Sequence, residues 1–208
     1  TLEKLDLVNG QTVLAENKVG AGGSIAMQYV KGMAGNGHYL STFHTGAIAG
    51  AVTGLIKVDP REFVPVAMMV EETSLVAVRA DSPLQSGTDL VAALKADPTR
   101  LRIAVAPALG QNTHMAIAKP LQVAGVAVDR LTIAPFRSSG ESVTALLGGH
   151  VDLVSATAPT IMPQVQAGKL RILASAAQEH GSGALAHVKT WREQGVPADY
   201  VSYNGVML

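Results

Sequence analysis

Apolar residues in this chain come in short runs, separated by stretches whose apolar positions recur at helical spacing. Residues 101–106, 131–134, 151–154 and 170–174 are each four to six residues long and almost wholly apolar, which predicts strands buried on both faces. Residues 11–15 and 39–43 read as further strands. Residues 63–80 read as one long strand with Glu71, Glu72 and Thr73 in its middle, and residues 200–208 as a last strand. Between them, the spacing predicts helices over 24–33 behind a Ser24 cap, 88–95 behind Thr88, 143–147 behind the capping box Ser138–Glu141, 159–167 and 188–194. The small-residue stretch 47–55 follows Thr45-Gly46, and a helix opens at Met115 with a break expected at Pro120. Residues 1–7 read as the tail of a helix, and Asn9-Gly10, Asp59-Pro60, Ser82-Pro83, Asp97-Pro98 and Gly148-Gly149 as turns or stops. Strand and helix in alternation predict an α/β fold with parallel-rich sheets flanked by helices.

Residues 107–114, Pro-Ala-Leu-Gly-Gln-Asn-Thr-His, join one such strand to the helix after it. The first backbone N–H groups of a helix have no partner within it, and with the helix dipole they favour an anion. Asn112 or Thr113 capping the helix is the plainer reading of the same residues. The device recurs, however, in loops at 20–24, 44–46, 136–140 and 155–157, all rich in Gly, Ser, Thr or Asn. In parallel sheets such loops gather at the carboxyl ends of the strands, where ligands bind. Arg137 is the one permanent charge among these loops in the second half of the chain. Neutral donors with one arginine suit a small hydrophilic carboxylate.

Composition narrows the classes. The 208 residues are 48% hydrophobic, enough for a core, and the 16 Lys+Arg against 16 Asp+Glu leave no basic excess to hold nucleic acid. Without cysteine there is no disulfide, thiol catalysis or cysteine–zinc site. The most apolar run, residues 47–56, is too short to span a bilayer, and no signal peptide is visible ahead of Thr1. Gly20-Ala-Gly-Gly-Ser24 lacks the third small residue of a dinucleotide fingerprint, because position 25 is isoleucine, and no P-loop lysine follows. The six histidines show no metal-ligand spacing, and no G-x-S-x-G elbow exists. Glu71 and Glu72 are adjacent in a strand, hence on opposite faces, and read as a solvated or hinge segment. No acid–base constellation, cofactor site or metal site is expected.

Several segments together resemble the Bug-type solute receptors of tripartite tricarboxylate transporters. They are residues 13–24, 59–67, 110–114, 135–140, 145–153 and 167–174, in the family's order and spacing. The resemblance implies a two-lobed periplasmic binding protein fold of type II, a non-enzymatic receptor that closes over a small carboxylate (di- or tricarboxylate, or acidic amino acid) and hands it to membrane transporter subunits. It further implies that residues 1–80 form a first lobe ending in a hinge strand, 81–200 a second lobe, and 201–208 a returning hinge strand. The family's first strand and a later segment of that lobe fall outside the sequence, so the first lobe is expected to be incomplete. Thr45, Gly46, Gly110, Asn112, Thr113, His114 and Arg137 are the expected cleft residues, His114 more as a contact that shapes the helix start. Ala156-Thr157 and Phe136-Arg137 depart from the family's usual residues and bear on ligand identity. An effector-sensing domain of a transcription regulator, with a similar two-lobed fold, is the alternative.

Overall fold

The computed structural model describes residues 8–18, 20 and 23–208. Its strands are β1 (Ser41–His44), β2 (Pro65–Arg79), β3 (Arg102–Val105), β4 (Thr132–Pro135), β5 (Leu153–Thr157), β6 (Leu170–Ser175) and β7 (Val201–Met207). Its helices are α1 (Ser24–Lys31), α2 (Thr45–Val52), α3 (Gly87–Ala96), α4 (Asn112–Val123), α5 (Ser139–Leu147) and α6 (Ala158–Gln166).

β2 is the spine. Its 15 residues hold no glycine and no proline after Pro65, and they carry valine, threonine and methionine, which fit an extended chain. Residues 65–73 pair antiparallel with β7, which in turn pairs with β1. Residues 74–79 pair antiparallel with β5 on one edge and β6 on the other. The strand therefore passes from one sheet into another at Thr73 and Ser74, within its polar middle. Among the named strands of the described residues, parallel pairing is confined to β3, which lies between β4 and β5.

Side chains alternate across the larger sheet, and both faces are buried. Val76, Val78, Ile103 and Val105 pack under α3 and α4 together with Trp191. Leu75, Ala77, Ala104 and Val154 pack under α5 and α6. A third, smaller cluster gathers Met27, Ala47, Ile56, Val58, Phe63 and Met207 around α1, α2 and the end of β7. Leu75 through Val78 are at most 1% exposed, whereas Val66, Met68, Met69 and Val70 in the same strand are each more than half exposed.

Local chemistry accounts for most of the boundaries. Ser86 caps α3 by accepting from the Asp89 N–H at 3.1 Å, two positions earlier than the Thr88 expected. Ser138 caps α5 as expected, accepting from Glu141 N–H at 3.2 Å, but the Glu141 carboxylate turns to Arg137 N–H rather than back to Ser138. Gly23, in the left-handed region, is the cap of α1, and Ser24 is its first helical residue. Pro120 does not break α4. It sits three residues from the end, its carbonyl still accepts from Ala124 N–H at 2.9 Å, and only one ladder bond is forfeited.

Two elements differ from expectation. Residues 11–15, expected as a strand, form none, and Leu14 is 82% exposed. Residues 188–194 form no α-helix, only a 3-10 turn over Arg192–Gln194. Here tertiary pairing overrides helical spacing. Ser175 N–H bonds the Lys189 carbonyl and Trp191 N–H bonds the Ser175 carbonyl, both within 3.0 Å, which holds residue 190 beside β6. Glu193 then accepts from Thr190 N–H at 2.7 Å and pairs with His180. The expected helix tail at residues 1–7, and Val19, Ala21 and Gly22 of the glycine loop, lie outside the described residues.

Trp191 is fully buried, and it dictates a glycine. A Cβ on Gly87, the first residue of α3, would lie 2.8 Å from the Trp191 ring and 3.2 Å from Ala174. Gly87→Ala is predicted to destabilise the fold by about 1–3 kcal/mol. Urea unfolding followed by fluorescence measures this directly, because Trp191 is the only tryptophan.

Candidate functional site

The polar residues expected to form a site meet where α2 and α4 begin. α2 follows β1 without a loop: His44 is the extended residue before it and Thr45 its first helical residue. α4 starts at Asn112, after Gln111 in extended conformation. Neither helix start is capped by the side chain before it. The early N–H groups of both helices thus have no partner within their own helix.

The two starts are joined by side chains, and β7 supplies the junction. Thr45 Oγ1 donates to Asn112 Oδ1 at 3.3 Å and lies 3.1 Å from Ser202 Oγ. Asn112 Nδ2 donates to Ser202 Oγ at 2.5 Å, and the Tyr200 hydroxyl donates to Asn112 Oδ1 at 3.2 Å. Asn112 therefore does not cap its helix, and its amide ties α2, α4 and β7 together. Gly46 sits in the same knot: a Cβ there would fall 2.7 Å from His44 Nδ1 and 3.2 Å from Asn112 Oδ1. No larger residue fits without displacing one of them.

The remaining expected residues take supporting positions. Thr113 is 3% exposed, and its hydroxyl is fully engaged, donating to the Ala106 carbonyl at 2.6 Å and accepting from Ala106 N–H at 2.9 Å. Its own carbonyl accepts from Ser155 Oγ at 2.6 Å, which ties the start of α4 to β5. Gly110, at φ +77°, donates its N–H to His114 Nδ1 at 2.8 Å, so the loop is closed onto its own helix. Arg137 is exposed, and its guanidinium has no hydrogen bond or ion pair among the described residues. It stands at the end of β4, at the same end of the sheet, but it does not touch the knot.

Four participants were not among the expected site residues. Tyr200 and Ser202 are contributed by the last strand, about ninety positions from Asn112. Gln111 is 1% exposed, and both polar atoms of its carboxamide lack a protein partner among the described residues. Glu72, which reads as solvated in sequence, is half-buried and accepts from Asn204 Nδ2 at 3.3 Å. The signal for the strand residues was present: Tyr200, Ser202 and Asn204 alternate with apolar or small neighbours and so share one face.

Burial sets the protonation of the aromatic groups. It lowers the pKa of His44, with the Glu72 charge pulling the other way. It also lowers that of His114. The Tyr200 phenol is pushed up by burial, partly offset by the Thr45 hydroxyl. The knot is thus a set of neutral hydroxyl, amide and imidazole groups at two positive helix ends. Among the described residues no group of histidine, aspartate and glutamate could hold a metal ion, and no helix is long and apolar enough to cross a membrane. Two surface cavities of about 380 and 450 Å³ lie at the other end of the large sheet, near Arg79, Arg100 and Lys169. Arg79 there, the last residue of β2, is paired with Asp81 at 2.9 Å.

The chain is similar to known proteins over most of its length. Residues 3–207 match the model of the tripartite tricarboxylate transporter family receptor. A protein in the gbd 5′ region of Cupriavidus necator is 31% identical over 188 residues, covering 90% of this chain and 56% of that relative. Among solved structures, MatC from Rhodopseudomonas palustris with bound malate is 26% identical with a TM-score of 0.82, over 98% of this chain and 69% of that one. The R. palustris protein Rpa4515 with adipate is likewise 26% identical with a TM-score of 0.82, over 98% and 68%. The chain spans a little over half the length of the curated relative.

His114 provides a test of the loop. Its Nδ1 accepts a hydrogen bond, so the ring must be neutral with its proton on Nε2. A folded pKa below the unfolded value contributes stability that is present above about pH 6.5 and lost as pH falls through the folded value. Nitrogen-15 NMR is expected to show the Nε2–H tautomer at pH 7, and the Gly110 amide is expected to lose exchange protection on acidification. His114→Gln should remove that dependence.

Proposed function

The chain belongs to the tripartite tricarboxylate transporter receptor family, and on that premise we propose that it captures a small carboxylate at the junction of α2, α4 and β7. The observation that carries this reading is the convergence of two helix starts through one amide, Asn112, with no fixed positive charge at the knot. A carboxylate there would accept from the first-turn N–H groups of both helices and from the Thr45 hydroxyl and Asn112 amide. In this reading Thr45, Gly46, Asn112 and the Thr113 N–H contact the ligand. Gly110 and His114 hold the loop in shape, and Arg137 approaches as the protein closes. Malate and adipate in two relatives are ligands of the same class.

The path of β2 supports a division into lobes. Residues 1–80 form the first lobe and its hinge strand, 81–200 the second lobe, and 201–208 the returning strand. The change of sheet at Thr73 and Ser74 supports a hinge there, because β2 and β7 are the strands that run between the two sets of elements. Closure about them would trap the carboxylate. The whole protein would act in the periplasm and deliver its ligand to membrane subunits of the transporter. No step of bond-making is required of it.

Thermal unfolding with malate, succinate, adipate, citrate and acidic amino acids tests this. A ligand at a hundred times its Kd adds about 2.7 kcal/mol, a midpoint rise of about 5–10 °C for a chain of this size. Asn112→Ala is expected to weaken the responding acid at least about tenfold. A flat screen across all the acids, or full affinity in Asn112→Ala, would contradict the proposal.

A further inference from the structure

Among the described residues Glu72 is the one carboxylate on the face that carries the knot. In β2 its Cα lies opposite Ser202, and Glu71, one residue earlier, lies opposite Tyr203 on the other face. Ser202 and Asn204 point to the same side of β7, and His44 stands opposite Asn204 in β1. Glu72, Asn204, His44 and Ser202 therefore share one surface, and Ser202 is bonded within it to Thr45 and Asn112. Directly opposed residues of an antiparallel pair have Cβ atoms about 4.5–5.5 Å apart. The Glu72 charge is thus within one side-chain length of the proposed ligand contacts.

That charge is uncompensated. Among the described residues Glu72 forms no ion pair, and it accepts a hydrogen bond from a neutral amide, Asn204. The one titratable group that feels it across this face is His44, which burial holds towards the neutral form. A half-buried carboxylate without a cation is costly, and it repels any dianion brought beside it. A ligand with its own positive charge removes both penalties at once.

We propose that Glu72 reads an ammonium group on the ligand, so that the site takes an amino-dicarboxylate in preference to its hydroxy or unsubstituted counterpart. This rests on the carboxylate reading above and narrows it. One carboxylate of the ligand sits at the helix starts, and its ammonium lies towards Glu72 and the Asn204 side. The sequence alone hides this, because adjacent glutamates in a strand look like a solvated pair. Register separates them into one exposed residue and one turned to the site.

Three probes with the same carbon skeleton make the test: L-aspartate, L-malate and succinate, titrated calorimetrically into the wild-type chain and into Glu72→Gln and Glu71→Gln. The wild type is expected to bind L-aspartate at least about tenfold tighter than L-malate, a difference of about 1.4 kcal/mol. Glu72→Gln keeps an oxygen for Asn204 and should erase that preference, weakening aspartate and strengthening malate. Glu71→Gln should leave it intact, and unchanged Trp191 fluorescence confirms the fold of each variant. Equal binding of aspartate and malate by the wild type would overturn the proposal and leave the carboxylate reading standing. So would an equal loss of both acids in Glu72→Gln, or malate binding that becomes tight only with sodium present. Binding of none of the three together with a flat screen would remove both.

Discussion

The structure depends on the continuity of β2. A strand of this length must satisfy its backbone polar groups along its whole course, and β2 does so with different partners in its two parts. Its second part is central to a sheet covered on both faces, where residues 75–78 are sealed from water. Its first part has β7 along one edge and a far more exposed surface. Because the strand is unbroken, the two sets of elements are joined at residues 73 and 74. The start of α2, carried by β1 on the β7 side, is thereby brought to the start of α4, carried by β3.

That meeting has a price in polar groups taken out of water, and the knot is how it is met. Asn112 uses its carbonyl oxygen towards Thr45 and Tyr200 and its amide nitrogen towards Ser202. Removing one partner from such a set costs about 1–3 kcal/mol, because the others are left unsatisfied. It follows that a ligand at this place meets free donors in the first-turn N–H groups but not in the side chains of the knot. There it exchanges with bonds the protein already makes, so affinity is a difference between two nearly matched sets. Fixed charge then weighs more than the number of hydrogen bonds, which is why Glu72 matters on a face that is otherwise neutral.

Much of the fold was legible because burial is written into composition. The apolar runs at 101–106, 151–154 and 170–174 became β3, β5 and β6, and residues 63–80 became β2 with little change at either end. Helix stops at Asp97 and Gly148 were legible from turn chemistry alone. Illegible were features decided by partners distant in sequence. Residues 188–194 have helical spacing, but pairing of Lys189 and Trp191 with Ser175 leaves only a 3-10 turn there. Thr113 looks like a ligand donor by type, yet Ala106 consumes its hydroxyl. Thr45 and Asn112 stand at the starts of α2 and α4, within stretches the sequence reads as strand-to-helix loops, whereas Ser202, which joins them, could be found only through the register of β7.

The central claim is that the ligand's carboxylate lies between the starts of α2 and α4. Amide chemical-shift mapping with saturating L-aspartate tests it most directly. The account predicts that the largest shifts fall on Gly46, Asn112 and Thr113, with smaller ones along Val201–Asn204. Largest shifts around Arg79, Arg100 and Lys169, at the opposite end of the sheet, would contradict it.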